Sequence, residues 1–527
     1  DRYLNGTLDD LYDPMLLKDM ERAVSILCEA VDTGKKIRIV GDYDIDGVCS
    51  TYILLQAFER LGSDVDFEIP DRIKDGYGIN ESIIEQAHAD GVEVILTCDN
   101  GISAFHQVEL AKKYGMTVVI TDHHEVPLDG EKEKIPPADA VIDPKQADCP
   151  YPFPEICGAV VAYKLVQVLY ARRGVPQMEW LDLLEFAAIA TVGDVMKLQD
   201  ENRILVKYGL KKMAQTKNLG LRRLAEKNNL DLGAITAYHI GFVIGPCLNA
   251  GGRLKTAKEA LALLRAQSEE EAERLAEELK ELNDTRKDMT EQGTEVAKLQ
   301  VESWYQKDKV LVVFLPECHE SLAGIIAGRL REYYQKPAIV LTRGEEAVKG
   351  SGRSIDEYHM FKKLTEVSDL LLKFGGHPLA AGLSLEEKNI DEFRRRLNEN
   401  AGLTEEDFKA KVWIDVPMPV GYVTERLVRE LSCLEPFGQG NEKPLFAEKS
   451  LRIRASRVLG RNRNVVKMTL EETDGHAIEA LYFGDGTAFE EERAGRREID
   501  VVYYPDINEY NGRKTLQAVI RRYKFRG

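Results

Sequence analysis

Met116-Thr-Val-Val-Ile-Thr-Asp-His-His124 is the stretch whose reading decides the fold. Its β-branched apolar run reads as a buried strand, and Asp122, His123 and His124 stand where that strand ends. An earlier strand-like run closes in the same way, in Gly41-Asp-Tyr-Asp-Ile-Asp-Gly47. In an open α/β sheet, ligands bind outside the carboxyl ends of the strands. Carboxylates and imidazoles delivered there by separate strands are candidate metal ligands.

Working outward, Lys36–Val40, Asp64–Ile69, Val92–Thr97 and Met116–Thr121 read as strands, with helical spacing in Ser50–Leu61, Glu81–Ala89 and Ala104–Tyr114 between them. This alternation implies βαβ units and a parallel sheet. From Ile156 to about Lys227 the pattern turns helical. Ala257–Gln300 follows as a long charged segment with Ala272, Leu275, Leu279 and Leu282 on one face, read as a solvated helix joining two domains. Lys309–Leu315 and Pro337–Leu341 then restart a β pattern around a helix at Leu322–Tyr334. Five short strands (Leu451–Val458, Asn464–Leu470, Ala477–Phe483, Ile499–Tyr504, Lys514–Ile520) fit a small barrel of the OB type. The predicted class is α/β: a parallel-sheet domain over 1–230, a connector with a long helix over 231–305, a smaller α/β domain over 306–405, and a C-terminal β-barrel over 406–527.

At 527 residues with 44% hydrophobic and 30% charged positions, the chain suits a multidomain globular protein. No run approaches a membrane-spanning length and no signal peptide is visible, although Asp1 is not a natural start and the true N-terminus is expected upstream. The eight cysteines are scattered singly without a Cys-x-x-Cys pair, which disfavours a structural zinc or a disulfide framework and suits the cytoplasm. The net charge of −18 is uneven: residues 451–527 hold 15 Lys and Arg against 12 Asp and Glu, a balance of +3 that leaves −21 elsewhere. A polyanionic substrate is therefore not excluded, because local basic clusters decide such binding.

Asp42-x-Asp44-x-Asp46-Gly47 opens like an EF-hand loop, but position 12 of that loop would be Ile53, and the segment follows a strand. Alternation along an extended segment instead places Asp42, Asp44 and Asp46 on one side of the strand end. Asp99 follows Ile95-Leu-Thr-Cys98 at another strand end, and Asp194 closes the apolar Ala190-Thr-Val-Gly193. Carboxylate and imidazole without thiolate suit Mn²⁺ or Mg²⁺. Acids enough for two ions point to in-line phosphoester hydrolysis.

Val40–Gly47, Cys98-Asp-Asn-Gly101, Thr121–His124 and Gly193-Asp194 resemble, in order, the four motifs of the DHH phosphoesterase superfamily. That resemblance implies Asp44, Asp46, Asp99, His123 and Asp194 as ligands of two Mn²⁺ or Mg²⁺ ions, with Asp99 bridging. It also implies His124 facing the scissile phosphate and Asp42 supporting the cluster or its water. Phe374–Gly382 is similar to the glycine-histidine motif of the DHHA1 accessory domain. Ile244–Arg253, Pro70-Asp-Arg72, Cys318–Gly324, Gly350–Ser354 and Leu434–Asn441 resemble segments of the RecJ family of exonucleases, with Cys247 and Gly251 as departures where relatives carry Arg and Ala. The resemblance spans nearly the whole chain. Arg72, Arg253, Ser351 and Arg353 would hold a 5′-terminal phosphate, with Asn249 in the same substrate-binding group and His377 on a nearby phosphate. A guanidinium fork grips a terminal phosphate where a continuing strand would clash.

The activity so implied is a 5′→3′ exonuclease on single-stranded DNA, releasing 5′-mononucleotides in DNA repair and recombination. It would act as a cytoplasmic monomer, with a single-stranded-DNA-binding protein and a helicase as partners. In the barrel, Tyr503, Tyr504, Tyr510, Tyr523 and Phe525 lie among Arg513, Lys514, Arg521, Arg522, Lys524 and Arg526, an aromatic and basic mix that suits a single strand. Two other readings compete: a small-substrate phosphatase acting on short oligoribonucleotides or 3′-phosphoadenosine 5′-phosphate, and a catalytically silent DNA-binding scaffold. The connector and the barrel speak against the first, the complete acid and histidine set against the second.

Overall fold

The computed structural model describes residues 1–72, 74–460, 462–510 and 513–526, apart from the side chains of Glu509, Tyr510 and Arg513. Two compact units divide the chain: residues 11–196 with 208–410, and residues 411–527 with 1–10 and 197–207.

In the larger unit β1 (Ile37–Val40), β2 (Val65–Glu68), β3 (Val94–Cys98), β4 (Thr117–Thr121) and β5 (Ala140–Ile142) form an all-parallel sheet in the order β2-β1-β3-β4-β5. Every residue of β1, β3 and β5 is buried, as continuous apolar strands of a parallel sheet should be. The chain leaves β1 toward β2 and then crosses to β3 on the other side. The switch point therefore falls between β1 and β3, the place where such sheets open a crevice. Helices α1 (Ile45–Arg60), α2 (Gly158–Arg173) and α3 (Leu184–Gly193) pack against one another. All three are nearly apolar around their circumference, with α1 and α2 burying thirteen and eleven residues. Each buried Val, Leu or Ile contributes roughly 1.5–3 kcal/mol, so the frame behind the crevice is stiff.

One sequence expectation changes here. Asp42, Asp44 and Asp46 do not lie along one extended strand: the chain turns after Val40, Asp44 becomes the N-cap of α1, and Asp46 sits in its first turn. Asp194 ends a helix, α3, within the region that reads as helical from its sequence.

Beyond α3 come α4 (Gly245–Leu254) and the 32-residue α5 (Glu269–Gln300). Ser268 caps α5 by accepting from Glu271 N, with three glutamates in the first turn complementing the helix dipole. The expected long connecting helix is present, but one face of it is buried rather than solvated. Ala272, Leu275, Ala276, Leu279 and Asn283 are buried toward preceding helices, and Thr290, Thr294 and Ala297 are buried further along.

The second sheet contains β6 (Leu311–Phe314), β7 (Ala338–Arg343), β8 (Val348–Arg353), β9 (Leu371–Gly376) and β10 (Ala380–Leu385) in the order β9-β10-β8-β7-β6. Only β6 and β7 run parallel, joined through α6 (Ala323–Tyr334).

In the smaller unit a six-stranded sheet, β11 (Val416–Pro417), β12 (Phe446–Leu459), β13 (Val465–Glu471), β14 (Ala477–Phe483), β15 (Glu498–Tyr510) and β16 (Arg513–Phe525), closes on itself through a second pairing of β12 with β15. Arg203 is buried and staples the outlying segments to this unit, donating to the carbonyls of Tyr3, Cys433 and Leu434 at 2.8, 3.1 and 2.7 Å. Tyr503 and Phe525 belong to the barrel core and Tyr523 packs against it, so they are structural rather than stacking groups. Tyr504 lies between the cations of Lys443 and Arg521, 4.3 and 5.2 Å from its ring. Tyr510 and Arg513 lie outside the described side chains.

Candidate active site

Three chain segments bring acids to the crevice, and local chemistry fixes each. Asp44 accepts at Oδ1 from the amides of Asp46 and Gly47 at 2.9 and 3.1 Å, which starts α1 at the carboxyl end of β1. Asp46 is fully buried; its two oxygens accept from Gly158 N and Ala159 N, both at 2.7 Å, so the N-terminus of α2 holds it. Asp99, after β3, has φ +61°, a left-handed conformation that costs a non-glycine residue roughly 1–2 kcal/mol. It is held there by Asp99 N donating to Thr121 O at 3.1 Å and by the Tyr77 hydroxyl donating to Asp99 O at 2.7 Å.

These segments converge on His123. Its Nε2 lies 3.1 Å from Asp99 Oδ1, 3.5 Å from Asp46 Oδ2 and 3.8 Å from Asp194 Oδ2. Ligand-type atoms fall into sets within 4.8 Å of one another: Asp46, His123 and Asp194; Asp42, Asp44 and Asp99; and Asp99, His123 and His124. Asp99 lies between the first two sets, being close to His123 and a member of the second.

Asp42, Asp46, Asp99 and Asp194 are all pushed above the ordinary carboxylate range, by burial first and by neighbouring carboxylates after it, Asp42 and Asp194 to about 8. His123 cannot compensate, because burial lowers its own pKa. Asp42 Oδ2 and His123 Nδ1 are buried without a hydrogen-bond partner. An oxygen-rich, imidazole-containing donor set whose members repel one another in this way fits divalent cations such as Mn²⁺ or Mg²⁺.

His124 is different. Its Nδ1 lies 2.7 Å from Asp122 Oδ1 and 4.0 Å from Asp99 Oδ1. Burial disfavours its imidazolium, but the bond to Asp122 and the surrounding acids prevail and raise it to about 9. Asp122 itself is buried and also accepts from the amides of Ile102 and His123, at 2.8 and 2.7 Å. Burial pushes its pKa up, but the His124 contact outweighs that and holds it low. The two histidines thus carry unlike protonation, as distinct roles require.

A second feature adjoins the acids. Asn249 and Arg253 of α4, Arg286 of α5, Gly193 and Ile325 line a cavity of about 110 Å³. Arg253 donates to Ser321 O at 3.0 Å and Arg353 to Ser351 Oγ at 3.1 Å. Gly324, in the first turn of α6, lies so near Ser351 and Arg353 that a Cβ there would stand 2.9 Å from each. Arg253 is held down to about 10 by burial, then by Arg72 and Arg286; Arg353 is lowered by burial and Arg72. Arg72 also lies over the Tyr43 ring at 4.8 Å. Arginines that repel one another beside an acidic centre form a receptor for an anion.

Asn249 and Arg253 share the cavity, Arg72 is electrostatically coupled to Arg253 and Arg353, and Ser351 bonds Arg353, whereas His377 is exposed on the β9–β10 turn and acts on Glu125, beside His124. Sequence reasoning missed Arg286 and the Asp122 anchor. It gave no role to Tyr77 of Gly76-Tyr-Gly78, which follows Pro70-Asp-Arg72 in the RecJ-like segment and whose hydroxyl is 3.0 Å from His124 Nδ1, and it missed a pair of exposed rings, Tyr238 and Phe242, stacked at 4.7 Å beside Gly241 of the cavity wall. The one available signal was spacing: residues 238 and 242 are one helical turn apart.

The parallel sheet with its acid and imidazole crevice matches the model of the DHH family, N-terminal domain, over residues 36–191, and the DHHA1 domain matches residues 307–402. The fold and the site together define a DHH-family protein. The RecJ OB domain model matches residues 414–522. The chain is 38% identical to the single-stranded-DNA-specific exonuclease RecJ of Bacillus subtilis over 97% of its own length and 64% of that relative's. It is 33% identical to the RecJ of Haemophilus influenzae and 35% to that of Escherichia coli, covering 92% and 90% of those chains and 98% and 96% of itself. The crystal structure of Thermus thermophilus RecJ with Mn²⁺ superposes with a TM-score of 0.85 at 29% identity, covering all of this chain and 74% of that one. The same protein with Mg²⁺ gives 0.78 at 28% identity, covering all of this chain and 73% of that one. The chain belongs to the RecJ family.

Proposed function

We propose that this chain is a 5′→3′ exonuclease on single-stranded DNA that releases 5′-mononucleotides in DNA repair and recombination. The observation that carries the reading is Asp99 placed between two ligand sets, with an arginine and serine cluster beside them that forms no ion pair among the described residues. Asp44, Asp46, Asp99, His123 and Asp194 would hold two Mn²⁺ or Mg²⁺ ions, with Asp99 available to both ligand sets and Asp42 supporting the cluster. Such a pair of ions lowers the pKa of water and neutralises charge on a phosphoryl centre in line with attack.

The chain's own groups do the rest. Arg72, Arg253, Ser351 and Arg353, with Asn249 and Arg286 beside them, grip the terminal 5′-phosphate, and His377 meets a phosphate further along. The scissile phosphodiester then lies one nucleotide on, against the acids. His124, kept charged and oriented by Asp122, donates to its non-bridging oxygens. Water adds to phosphorus and the P–O3′ bond breaks, so O3′ leaves as a hydroxyl and the new phosphate stays on the shortened strand. That strand again carries a 5′-phosphate and fits the same arginines, which gives the reaction its direction. The exposed Tyr238–Phe242 pair offers a face to unpaired bases, a surface a duplex cannot use.

The eight free cysteines support a reducing, cytoplasmic setting, and the monomeric state and the two protein partners come with the same reading. No described helix is long and apolar enough to cross a membrane. Strands labelled at one end test the reading. With Mn²⁺ or Mg²⁺, a 5′ label on single-stranded DNA should leave at once as mononucleotide, while a 3′ label stays on shrinking strands. Early loss of the 3′ label would overturn the polarity. Cleavage of dinucleotides without shortening of long strands would favour a small-substrate phosphatase.

A further inference from the structure

Behind the crevice, α1, α3, the segment Lys212–Leu219 and the chain at Leu264–Gln267 enclose a cavity of about 470 Å³, within the size range of small-molecule sites. Tyr52, Tyr170 and Phe186 supply its aromatic wall, the rings of Tyr52 and Phe186 lying 4.3 Å apart. Its rim is electrically settled. Arg60 grips Glu179 at 2.5 and 3.0 Å, Arg265 pairs with Glu59, and Lys212 and Lys217 both face Asp182.

Glu185 is the exception. It is 3% exposed, lines the cavity, and takes one hydrogen bond, at Oε1 from Thr216 Oγ1 at 2.7 Å. Its Oε2 is buried with no hydrogen-bond partner. A buried carboxyl oxygen left unpaired is costly, and burial accordingly raises Glu185 to about 7. Nothing in the fold requires an acid here: a leucine or glutamine would fill the same volume in an apolar helix. The Tyr52 hydroxyl is bonded by Asn218 Nδ2 at 3.1 Å, and Asp182 Oδ1, also without a hydrogen bond, is ion-paired with Lys212, whereas Glu185 Oε2 has neither kind of partner among the described residues.

We propose that this cavity is a binding site for a small organic cation carrying a primary ammonium or guanidinium group, with Glu185 as its counter-ion. Such a group supplies both the missing donor and the missing charge, and the aromatic wall favours a cation over a neutral amine. A phosphorylated ligand is disfavoured, because the rim cations already have carboxylate partners. The site would also report to the centre described above. Asp44 and Asp46 lie at the other end of the helix that contributes Tyr52, Gln56 and Arg60, and Asp194 ends the helix that begins beside Glu185.

Calorimetric titration of the full chain with agmatine and with putrescine, in excess Mg²⁺ so that the acids of the crevice are occupied, tests this. One saturable site per chain is expected, weakened at least tenfold in Glu185→Gln, which keeps the side-chain volume. Gln56→Trp, which narrows the cavity mouth without touching Glu185, should weaken binding as well and guards against a folding defect in the first variant. Absence of saturable binding for both probes would overturn the proposal, as would wild-type affinity in both variants or saturable binding of a nucleoside monophosphate at this site in place of the amines.

Discussion

Gly158→Ala tests whether the N-terminus of α2, packed against Asp99 and bonded to Asp46, sets the geometry of the acid cluster. A Cβ at position 158 would stand 2.7 Å from Asp99 Cβ, 2.9 Å from its Cα and 3.0 Å from its Oδ1. Two of those atoms are fixed to a backbone already in a left-handed conformation at φ +61°, so Asp99 has little room to yield. Ordinary contact begins at 3.4 Å, so about 0.7 Å must be found, and α2 must recede. The amides of Gly158 and Ala159 now donate to Asp46 at 2.7 Å, and the same retreat carries both toward the limit of a hydrogen bond. Bonds of this type to a charged acceptor contribute roughly 1.5–3 kcal/mol each, and overpacking by one methyl costs roughly 1–3 kcal/mol. The substitution thus disturbs Asp99 and Asp46, one member from each ligand set. The expected outcome is a folded protein whose half-saturating Mn²⁺ concentration for nuclease activity rises about 10- to 100-fold, since 1.4 kcal/mol is one decade. Measuring activity against Mn²⁺ concentration, beside a melting curve, decides it. Half-saturation within twofold of wild type in a folded protein would refute the claim that α2 fixes the acids.

Asp99→Ala removes the residue placed between both sets, and activity should fall by at least about 10³ at any Mn²⁺ concentration, beyond the loss of one electrostatic contact. Arg353→Leu should abolish preference for a 5′-phosphate: the ratio of kcat/KM on phosphorylated and hydroxyl-ended strands should approach one, whereas a merely structural defect lowers both alike. Tyr238→Ala together with Phe242→Ala should raise KM for long single strands about tenfold with kcat little changed, from roughly 1–3 kcal/mol of stacking per base; an unchanged KM would remove these rings from the strand path. Glu185 gives a pH prediction. Its folded pKa, about 7, lies above its ordinary 4.5, so folding is favoured most at low pH and that advantage is lost as pH rises through 7. Glu185→Gln removes the charged form, so its melting temperature relative to wild type should be higher at pH 8 than at pH 5, by an effect on the order of 2–3 kcal/mol. A pH-independent difference would contradict the burial argument.

How far the site could be read from residues alone depended on what kind of signal each element carries. The strands ending at Val40, Cys98 and Thr121 were legible because β-branched runs of that length, between helical patterns, have few alternatives. Asp194 falls in the region whose pattern reads as helical, but Leu184–Gly193 is apolar around its whole circumference, and such a run has no period of its own to mark where the helix ends. The acids at 42, 44 and 46 were misplaced for another reason: Asp44 is an N-cap signal, and Gly47 in the first turn masks the start of a helix whose clear periodicity begins later. Glycine likewise hid β8, where Gly350 and Gly352 lower strand propensity but sit in register with Leu341, Leu383, Ile339 and Ala381.

What no local pattern encodes is the pairing between distant segments that makes the centre work. Asp46 is held by amides 112 and 113 residues downstream, and His124 is held by an acid two residues before it that looked like a third ligand. Asp122 shows how the motif divides its labour. All its polar contacts are with the backbone around it or with His124, so it serves to aim and charge one histidine, leaving the other neutral among the acids. Asp122→Asn would keep one acceptor oxygen, enough for the His123 amide but not for the Ile102 amide on the other carboxylate oxygen, while removing the charge that sustains the His124 imidazolium. Mn²⁺ half-saturation should then stay near that of wild type while kcat falls, on the order of 10²-fold by analogy with the loss of a preorganised donor. A shift in metal dependence larger than the fall in kcat would instead make Asp122 a support of the metal set, and the separation of the two histidines would fail.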